Sequence, residues 1–575
     1  MKPCIARSSV TAPTAAQRLA TALRRHHVDV MFSQSLPSAL ILACEDLGIR
    51  QISYRAENAG GAMADGYARR SNRIGVVTAQ NGPAATLLVP PLAEALKASV
   101  PVLALVQDVN RAHADRNAFQ EIDHLRLFDS CTKWARVVTD AARIEDYLDM
   151  AITTATSGRP GPVALMLPAD MLNESAAPPP FARTATLGAW PLDRPAADPD
   201  RVREAAAIIA SARHPLVIAG GGVHSSQAHA ELAQLQSLAS LPVAYTMMGK
   251  GSVADTAPLT AGLVGNVMGQ RSLGHHLRGM VERADVIVLA GTRTNQNGTD
   301  SWTLFSKQTR FIHIDIDGTE IGRTHEALRL VGDVRETLRA LNKELASQDL
   351  AKRHDGAEQV QAEIREARDA RTRANADLVS QGSQPLRPEY VMQVLDGLIG
   401  SHATVVADAS YSSVWIASYL AARRSGMRFL SPRGLAGLGW GLPMAIGARL
   451  AAPDHPVVCV VGDGGFGHVW GELETLAREE IGVVLLLLNN GVLGFQKDAE
   501  TLKFGQHTGA CHFAPVDHAA IARACGLEAW RIEKPEEVRP RLVQALASSK
   551  TVLLELMTHP DAYPPLTMYD GALPY

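Results

Sequence analysis

The stretch "GDGGFGHVWGELETLAREEIGVVLLLLNN", from Gly462 to Asn490, decides how its part of the chain folds. It follows the apolar run "PVVCVV" and contains a second run, "IGVVLLLL", with a helical segment between the two. Buried strands that alternate with helices are typical of a parallel sheet covered by helices. Asp463 and the pair Asn489–Asn490 therefore follow two adjacent strands at their carboxyl ends, where open α/β sheets bind ligands.

The residue types at this edge predict a metal and phosphate site. The Asp463 carboxylate, the Asn490 amide oxygen and a nearby backbone carbonyl are hard oxygen ligands, which suit Mg²⁺ with a phosphate partner. Gly464 and Gly465 would let backbone N–H groups approach a phosphate near a helix N-terminus. A tight turn with Asn caps is the alternative. The strand–helix–strand pattern over the 24 residues 465–488, followed by Asn-Asn, favours the metal site.

The same alternation of apolar runs and helices extends over most of the 575 residues, which are too many for one core. It predicts an α/β fold of three doubly wound parallel-sheet domains, at 14–178, 198–345 and 386–560. In the second domain, Gly220–Gly222 lack the G-x-G-x-x-G spacing, so a tight βα turn is preferred over a dinucleotide site.

The bulk composition predicts a cytoplasmic protein. With 46% hydrophobic residues, 20% charged residues and a net charge of -3, we expect no nucleic acid and no membrane as partner. Six cysteines without a C-x-x-C pair indicate a reducing compartment and no zinc site. The N-terminus lacks the apolar segment of a signal peptide.

The stretch from Gly462 to Asn490 resembles the diphosphate-binding signature of thiamine diphosphate (ThDP) enzymes, and the resemblance covers residues from about 14 to 560. It implies pyrimidine-binding, middle and diphosphate-binding domains. It also implies ThDP with Mg²⁺, the ion bound by Asp463, Asn490 and the carbonyl of Val492. The implied cofactor contacts in this region come from Gly464, Gly465, Asn490, Leu493 and Gly494.

Three further segments resemble other parts of the ThDP site. "SYRAENAGGAMADGYARR" (53–70) is similar to the run around the family's catalytic glutamate, which implies that Glu57 acts on the pyrimidine ring. A first-turn Glu that interacts with the helix dipole is the alternative. "SPRGLAGLGWGLPMAIGARLA" (431–451) places Gly437 and Leu438 where the family supports the bent cofactor. "VADASYSSVWIA" (406–417) places Tyr411, Ser412 and Ser413 at diphosphate-facing positions.

A segment of the first domain narrows the resemblance to the acetolactate synthase group. "RNAFQEIDHLRLFDSCTKWARVV" (116–138) places Phe119 and Gln120 at that group's active site and Lys133 near its substrate entrance. "QNGPAATLL" (80–88) resembles the loop beside this glutamine, which implies roles for Asn81 and Gly82. Because hydroxyacyl-CoA lyases carry a similar F-Q-E motif, membership of the lyase group stays an alternative.

Two departures bear on substrate and cofactor. Phe495 and Gln496 replace the synthases' Met and Val, and the Trp that usually follows is missing, so we expect substrate contacts from these two residues and a different donor or acceptor. "GTRTNQNGTDSW" (291–302) retains Arg293 but lacks the acidic pair of FAD-containing synthases, so we expect no FAD. His113 and His124, which flank the Phe-Gln loop, are candidate proton donors.

The resemblance implies decarboxylation of a 2-oxo acid and carboligation of the resulting enamine to an acceptor carbonyl. A homodimer or homotetramer with intersubunit active sites is expected, in which Glu57 acts on cofactor bound at a partner's Asp463. The alternatives are a 2-hydroxyacyl-CoA lyase, a simple 2-oxo acid decarboxylase and a non-catalytic ThDP-binding homologue.

Overall fold

A computed structural model describes residues 12–178, 180–380, 382–570 and 573. The chain divides into two compact units, the first with residues 12–68 and 72–192, the second with 69–71 and the chain from 193 onward. Three six-stranded sheets are present, each built of parallel strands only, which confirms the predicted α/β fold class. Each sheet lies within one of the three predicted segments, whose limits stay a prediction. Among the described residues, no helix is long and apolar enough to cross a membrane.

The first unit contains one sheet with strand order β2-β1-β3-β4-β6-β5. Its inner strands are short apolar runs, and every residue of 75–79 is buried. This is typical of parallel strands that are covered on both faces. The strands are β1 Val30–Ser33, β2 Arg50–Ser53, β3 Gly75–Ala79, β4 Val102–Asp108, β5 Trp134–Val137 and β6 Val163–Pro168. The helices are α1 Ala15–Arg25, α2 Ser38–Asp46, α3 Glu57–Ser71, α4 Pro83–Leu87, α5 Val89–Ala98, α6 His124–Asp129, α7 Ile144–Thr156 and α8 Ala169–Leu172.

The middle sheet has strand order β12-β11-β10-β7-β8-β9, the order of many dinucleotide-binding folds. Its strands are β7 Pro215–Ala219, β8 Val243–Tyr245, β9 Thr260–Leu263, β10 Val286–Ala290, β11 Arg310–Asp315 and β12 Ala327–Val331. Its helices are α9 Pro199–Ser211, α10 Gly221–Ser225, α11 His229–Leu238, α12 Leu273–His276, α13 Arg278–Glu282 and α14 Val334–Leu345. A Cβ at Gly220 would lie 2.2 Å from the Gly291 carbonyl oxygen, so this glycine permits close packing of two turns.

Helices α15 Ala351–Asp355 and α16 Ala357–Asn375 connect the middle sheet to the third sheet. The third sheet has strand order β14-β13-β15-β16-β18-β17. Its strands are β13 Thr404–Ala407, β14 Arg428–Leu430, β15 Val457–Gly462, β16 Val484–Asn489, β17 Glu528–Ile532 and β18 Val552–Met557. Its helices are α17 Pro388–Asp396, α18 Tyr411–Tyr419, α19 Gly441–Ala451, α20 Asp463–Phe466, α21 Glu472–Arg478, α22 Gly494–Phe504, α23 His518–Ala524 and α24 Pro535–Ala547.

Candidate cofactor site

A cleft with about 560 Å³ of empty space lies at the carboxyl edge of the third sheet. It is lined by the residues that follow β13, β15 and β16, together with the turn before α19. The lining includes most of the residues predicted to bind the cofactor or metal in this sheet. They are Tyr411, Ser412, Leu438, Asp463, Gly464, Gly465, Asn490, Val492, Leu493 and Gly494.

The predicted metal ligands come from two neighbouring strands. β15 and β16 pair in parallel with Gly462 opposite Leu488, so Asp463 and Asn490 extend from the same edge. A carboxylate oxygen of Asp463 accepts the backbone N–H of Gly491 at 3.1 Å. Burial raises the pKa of the Asp463 carboxyl to about 6, and backbone N–H groups, including that of Asn490, act in the opposite direction. The buried carboxylate therefore has a polar setting that suits a cation.

Asn489, the first of the two amides, is oriented by a buried acid on the next strand. Its Nδ2 donates to Glu555 Oε1 at 2.7 Å, and its Oδ1 accepts the Gly491 N–H at 3.2 Å. Glu555 lies on β18 and is fully buried, and its second oxygen accepts the N–H of Ala519 at 2.9 Å. Asn489 thus braces the turn after β16, while Asn490 lines the cleft.

The two glycines after Asp463 are explained here by close protein contacts. A Cβ at Gly464 would lie 2.8 Å from Leu493 Cδ2 and 3.0 Å from Phe513 Cε2. A Cβ at Gly465 would lie only 2.0 Å from a carboxylate oxygen of Asp408. Gly465 therefore excludes a larger residue without reference to a ligand, whereas a larger residue at Gly464 would require Leu493 to move. The diphosphate contacts of both glycines stay a prediction.

Asp408 is a residue of the cleft that the sequence analysis missed. Its Oδ2 accepts the N–H of Gly439 at 2.9 Å, and its Oδ1 accepts those of Trp440 at 3.0 Å and Gly441 at 3.2 Å. Burial raises the pKa of the Asp408 carboxyl, and these N–H groups lower it. An acid at the end of an apolar strand is the signal that singled out Asp463, and it applies equally to Asp408.

Tyr411 presents its ring to the cleft, while its hydroxyl makes contacts elsewhere. The hydroxyl donates to Asp498 Oδ2 at 2.5 Å and lies 3.0 Å from the hydroxyl of Tyr569. Burial is the main cause that raises the pKa of Tyr411, so this phenol stays protonated. Asp498 and Tyr569 are both buried, and neither was predicted.

The serines after Tyr411 differ in their placement. Ser412 lines the cleft, whereas Ser413 is fully buried, donates to the Ser410 carbonyl at 2.8 Å and accepts from Arg433. Ser410, which also lines the cleft, has a positive φ of 62°. A left-handed backbone at a residue other than glycine is strained, and such strain often accompanies functional sites.

Gly437 and Leu438 belong to the turn before α19. A Cβ at Gly437 would lie 2.5 Å from the Trp440 ring, so only glycine fits without displacement of that ring. Leu438 follows it and lines the cleft, which places an apolar side chain where the bent cofactor is predicted to rest. The turn thus combines a tight backbone with one apolar group in the site.

Phe495 and Gln496 begin α22 beside the cleft. The ring of Phe495 lies edge to face with that of Tyr411, with 6.0 Å between centroids. The Gln496 amide donates to Glu500 Oε1 at 2.8 Å. The backbone N–H of Thr508 and the Gln496 amide lower the pKa of Glu500 to about 2. Substrate contact by Phe495 and Gln496 stays a prediction.

Glu57, the predicted catalytic acid, is the first residue of α3 in the first unit. Its side chain is half-buried. Among the residues that the structure describes, no hydrogen bond or ion pair reaches its carboxylate. A half-buried carboxylate without a partner is a candidate acceptor for a hydrogen bond from a ligand.

The first unit brings together the two loops that the sequence analysis paired. The Gln80 amide donates to Gln120 Oε1 at 2.8 Å, and the Asn81 amide donates to the carbonyls of Phe119 and Gln120 at 3.2 and 3.1 Å. Gly82, with φ 65°, has no room for a Cβ, which would lie 2.6 Å from the Gln120 carbonyl oxygen. The Phe119 side chain is 83% exposed.

Two of the remaining predicted residues of the first unit, His124 and Lys133, have local partners. Nε2 of His124 accepts the Gly82 N–H at 3.1 Å, so this ring nitrogen stabilises the loop. The Lys133 ammonium donates to the carbonyls of Thr154, Ser157 and Arg159. Those carbonyls lie at or just after the C-terminus of α7, where a cation is favourable. His113 is exposed on a 3₁₀ turn, 111–113.

Comparisons with known proteins agree with this arrangement over nearly the whole chain. Residues 13–127 match the N-terminal TPP binding domain of thiamine pyrophosphate enzymes, residues 202–341 their central domain, and residues 408–556 their C-terminal TPP binding domain. The chain therefore belongs to the thiamine pyrophosphate (ThDP) enzyme family.

Within that family, three similar relatives carry the name acetolactate synthase. A probable acetolactate synthase large subunit of Methanococcus aeolicus is 32% identical, over 95% of this chain and 92% of the relative. The acetolactate synthase of Arthrospira platensis is 31% identical, over 97% and 96%. Acetolactate synthase 3, chloroplastic, of Brassica napus is 30% identical, over 94% and 82%. This chain is thus acetolactate synthase-like, as the sequence analysis predicted.

Proposed function

We propose that this protein uses Mg²⁺ and ThDP to decarboxylate a 2-oxo acid and to join the remaining fragment to an acceptor carbonyl. The observation that supports this most is the convergence of Asp463 and Asn490 in one cleft at the carboxyl edge of the third sheet. The name shared by the relatives, acetolactate synthase, supports the reaction type. The proposed cellular location is the cytoplasm.

The donor set at the cleft fits a magnesium diphosphate. One buried carboxylate, that of Asp463, and one amide oxygen, that of Asn490, are too few for an all-protein cage but suit Mg²⁺, which retains water and phosphate ligands. The carbonyl of Val492 would complete the protein ligands. Bound ThDP supplies the electron sink that makes decarboxylation possible.

Glu57 would hold a proton at the pyrimidine ring of the cofactor. Its half-buried carboxylate lies at the N-terminus of α3, and the residues described leave it without a partner. A carboxylate in this position can accept a ring N–H, and general acid–base groups of this kind typically contribute about 10²–10⁴-fold to rate.

Phe119 and Gln120 would frame the substrate in the first unit, beside Asn81 and Gly82. The Gln120 amide is anchored by Gln80 at 2.8 Å, so its orientation is fixed. An amide can steer a carbonyl oxygen without a change of its own charge. Phe495 and Gln496 would contact the acceptor from α22, and a polar Gln there favours an acceptor more polar than that of the usual synthases.

The active unit would be a homodimer in which Glu57 of one subunit serves cofactor bound at Asp463 of the other. Large apolar side chains are exposed in both units, among them Phe119, which is 83% exposed, and Leu435, which is 56% exposed. Such side chains are typical of surfaces that a partner covers.

Mixing two inactive variants tests the shared site. Subunits with Glu57→Gln and subunits with Asp463→Ala would each be inactive alone. In a mixed dimer, one of the two sites has both native residues, so an equal mixture should recover about a quarter of wild-type activity. Activity that stays at zero after subunit exchange, which mass photometry of tagged subunits can verify, would show that each site is formed within one chain.

The donor and acceptor are tested with the protein loaded with Mg²⁺ and ThDP. A panel of 2-oxo acids, with and without aldehydes or ketones, is assayed for CO₂ release, and products are identified by mass. Release of CO₂ with a new carbon–carbon bond supports the proposal. Release of CO₂ with aldehyde alone would mean a simple decarboxylase, and no release with any acid would contradict the proposal.

No FAD is proposed for this chain, because the acidic pair of the FAD-containing synthases is missing from 291–302. The purified protein should show no absorbance band near the visible flavin maximum. Added FAD should change neither its activity nor its thermal unfolding midpoint. A stoichiometric flavin in the purified protein would contradict this proposal and leave the rest of the proposed function intact.

A further inference from the structure

Three separate turns of the third sheet meet at one buried carboxylate, that of Asp408. Asp408 itself follows β13. Its oxygens accept the N–H groups of 439–441, which run from the residue after Leu438 to the first residue of α19. One of those oxygens occupies the space beside Gly465, 2.0 Å from the point where a Cβ would be. The end of β13, the turn before α19 and the turn after β15 are therefore in contact at this side chain.

Every hydrogen bond of this carboxylate is accepted from a backbone N–H. Oδ1 accepts from Ala409, Trp440 and Gly441, and Oδ2 accepts from Gly439. An asparagine has nearly the same shape, but it would place an NH₂ group against at least one of these N–H groups. It therefore cannot replace the aspartate as an acceptor of all four hydrogen bonds. A glutamate would extend into the Gly465 turn, where no space is left.

We propose that Asp408 is a positioning residue, which fixes the turn that carries Leu438 at a set distance from the turn that carries Asp463. This inference rests on the proposed function, because both turns line the cleft assigned to ThDP. Leu438 would support the cofactor ring system and Asp463 would bind its metal. Asp408 would act through the backbone of 439–441, whose N–H groups it accepts, and not as a ligand of the metal.

Asp333 in the middle sheet shows what ordinary capping looks like. It is also buried, and it accepts the N–H groups of Arg335 and Glu336 at the start of α14 at 3.0 and 3.2 Å. Unlike Asp408, it also accepts from Arg194 and from the Ser226 hydroxyl, and it lies at the start of a helix of another sheet. Asp333→Asn is therefore a control for loss of a buried capping carboxylate outside the cleft.

The contact with Gly465 allows a test that does not depend on turnover. In Gly465→Ala, the added methyl group meets the Asp408 oxygen, and ThDP binding should weaken by about tenfold or more. Asp408→Ala removes that oxygen, so the double variant should bind ThDP no worse than Asp408→Ala alone. Calorimetric titration of ThDP at saturating Mg²⁺ measures all the dissociation constants.

Gly464→Ala is the control for this cycle, because its methyl group would meet the side chains of Leu493 and Phe513 instead. Its effect should add to that of Asp408→Ala. Asp408→Asn retains a group of the same size and should not relieve Gly465→Ala. If the effects of Asp408→Ala and Gly465→Ala are additive, the contact does not position the two turns, and the inference is wrong.

Positioning also predicts a split between turnover and binding. Asp408→Asn should lower kcat by about tenfold or more, with KM for the 2-oxo acid within about twofold of wild type, because the first unit frames the substrate. Hydrogen–deuterium exchange should increase in 437–441. Asp333→Asn should lower the thermal midpoint without either change. If both variants lower only the midpoint, Asp408 is a structural cap.

Failure of the proposed function is separable from failure of this inference. Wild-type protein that does not bind ThDP at any Mg²⁺ concentration overturns both. Wild-type binding, combined with additive effects or with unchanged exchange in 437–441, overturns the role of Asp408 alone.

Discussion

The first and third sheets have the same strand order, but their carboxyl edges carry different chemistry. In the third sheet, Asp408 and Asp463 follow the first and third strands in chain order, and both accept N–H groups from neighbouring turns. In the first sheet, the corresponding strands, β1 and β3, are followed by Gln34 and Gln80. Glu57 begins the helix after the second strand of that sheet, and its carboxylate has no partner among the described residues.

The shared topology determines where a site can form in each sheet. The residues that follow each strand determine what that site can do. The third sheet uses its acids to order its own backbone around a cleft. The first sheet presents an unsatisfied carboxylate and a set of anchored amides. Under the proposed function, one edge would bind the cofactor and the other would serve proton transfer and substrate contact, although both have the same parallel frame.

Loss of the acid in the first sheet should have the largest effect. Glu57→Gln should lower kcat by about 10²–10⁴-fold, because the amide cannot hold the proton that the carboxylate holds. The ThDP dissociation constant should change little. Steady-state kinetics and calorimetric titration measure the two quantities.

Glu358→Gln is the control, since Glu358 also lies in a helical first turn and its side chain is 92% exposed. It should leave both quantities unchanged. If Glu57→Gln turned over every active donor at the wild-type rate, the proposed division of roles between the two sheets would be wrong.

Loss of the acid after β15 should weaken cofactor binding more than it lowers turnover at saturating cofactor. Asp463→Asn removes the charged metal ligand, and the apparent affinity for ThDP at millimolar Mg²⁺ should fall by about 100-fold or more. Chelation of Mg²⁺ from the wild type should have the same effect.

Asp454→Asn changes an exposed acid that precedes the same strand at its other end, so its ThDP affinity should stay at the wild-type value. If the two variants lose affinity equally, general charge and not the strand end attracts the cofactor.

The loop after β3 tests whether the first sheet also depends on a tight turn. Gly82→Ala adds a methyl group 2.6 Å from the Gln120 carbonyl at a φ of 65°, so it should destabilise the first unit by about 2 kcal/mol or more. The Gln120 amide should move with it, so kcat/KM should fall.

Gly48→Ala separates the steric cause from the backbone cause. Gly48 has a φ of 72° but open space around a Cβ, so its cost should be limited to about 1 kcal/mol. Urea unfolding measures both free energies. Equal losses in the two variants would show that contact with Gln120 contributes nothing.

Substitution of Lys133 should have the smallest effect. It distinguishes a role in stability from a role near the substrate entrance. Lys133→Met removes an ammonium that donates to carbonyls after α7, and the unfolding free energy should fall by about 1 kcal/mol. KM for the 2-oxo acid should stay unchanged. A raised KM with unaltered stability would instead support the role near the substrate entrance that the family resemblance implies.

The fold was predictable because its strands are short apolar runs. The placement of Asp463 and Asn490 at one sheet edge was predictable because each follows such a run. Asp408 also follows an apolar run, but its proposed role depends on contact with the backbone of 439–441. No local pattern in the sequence specifies that contact. The contact of Tyr411 with Asp498 joins residues 87 positions apart, and Gly465 is explained by an acid 57 positions earlier. Such pairings follow from tertiary packing and not from periodicity.

The left-handed backbone of Ser410 and Gln120 has a consequence for protein engineering. With φ of 62° and 61°, both are sites where glycine would relieve backbone strain, and a search for thermostable variants would select that change. Ser410 lines the cleft and Gln120 is the predicted substrate amide. At either position, we therefore expect a gain in thermal stability to be accompanied by a loss of catalytic activity. Thermostabilising libraries for this chain should leave both positions unchanged.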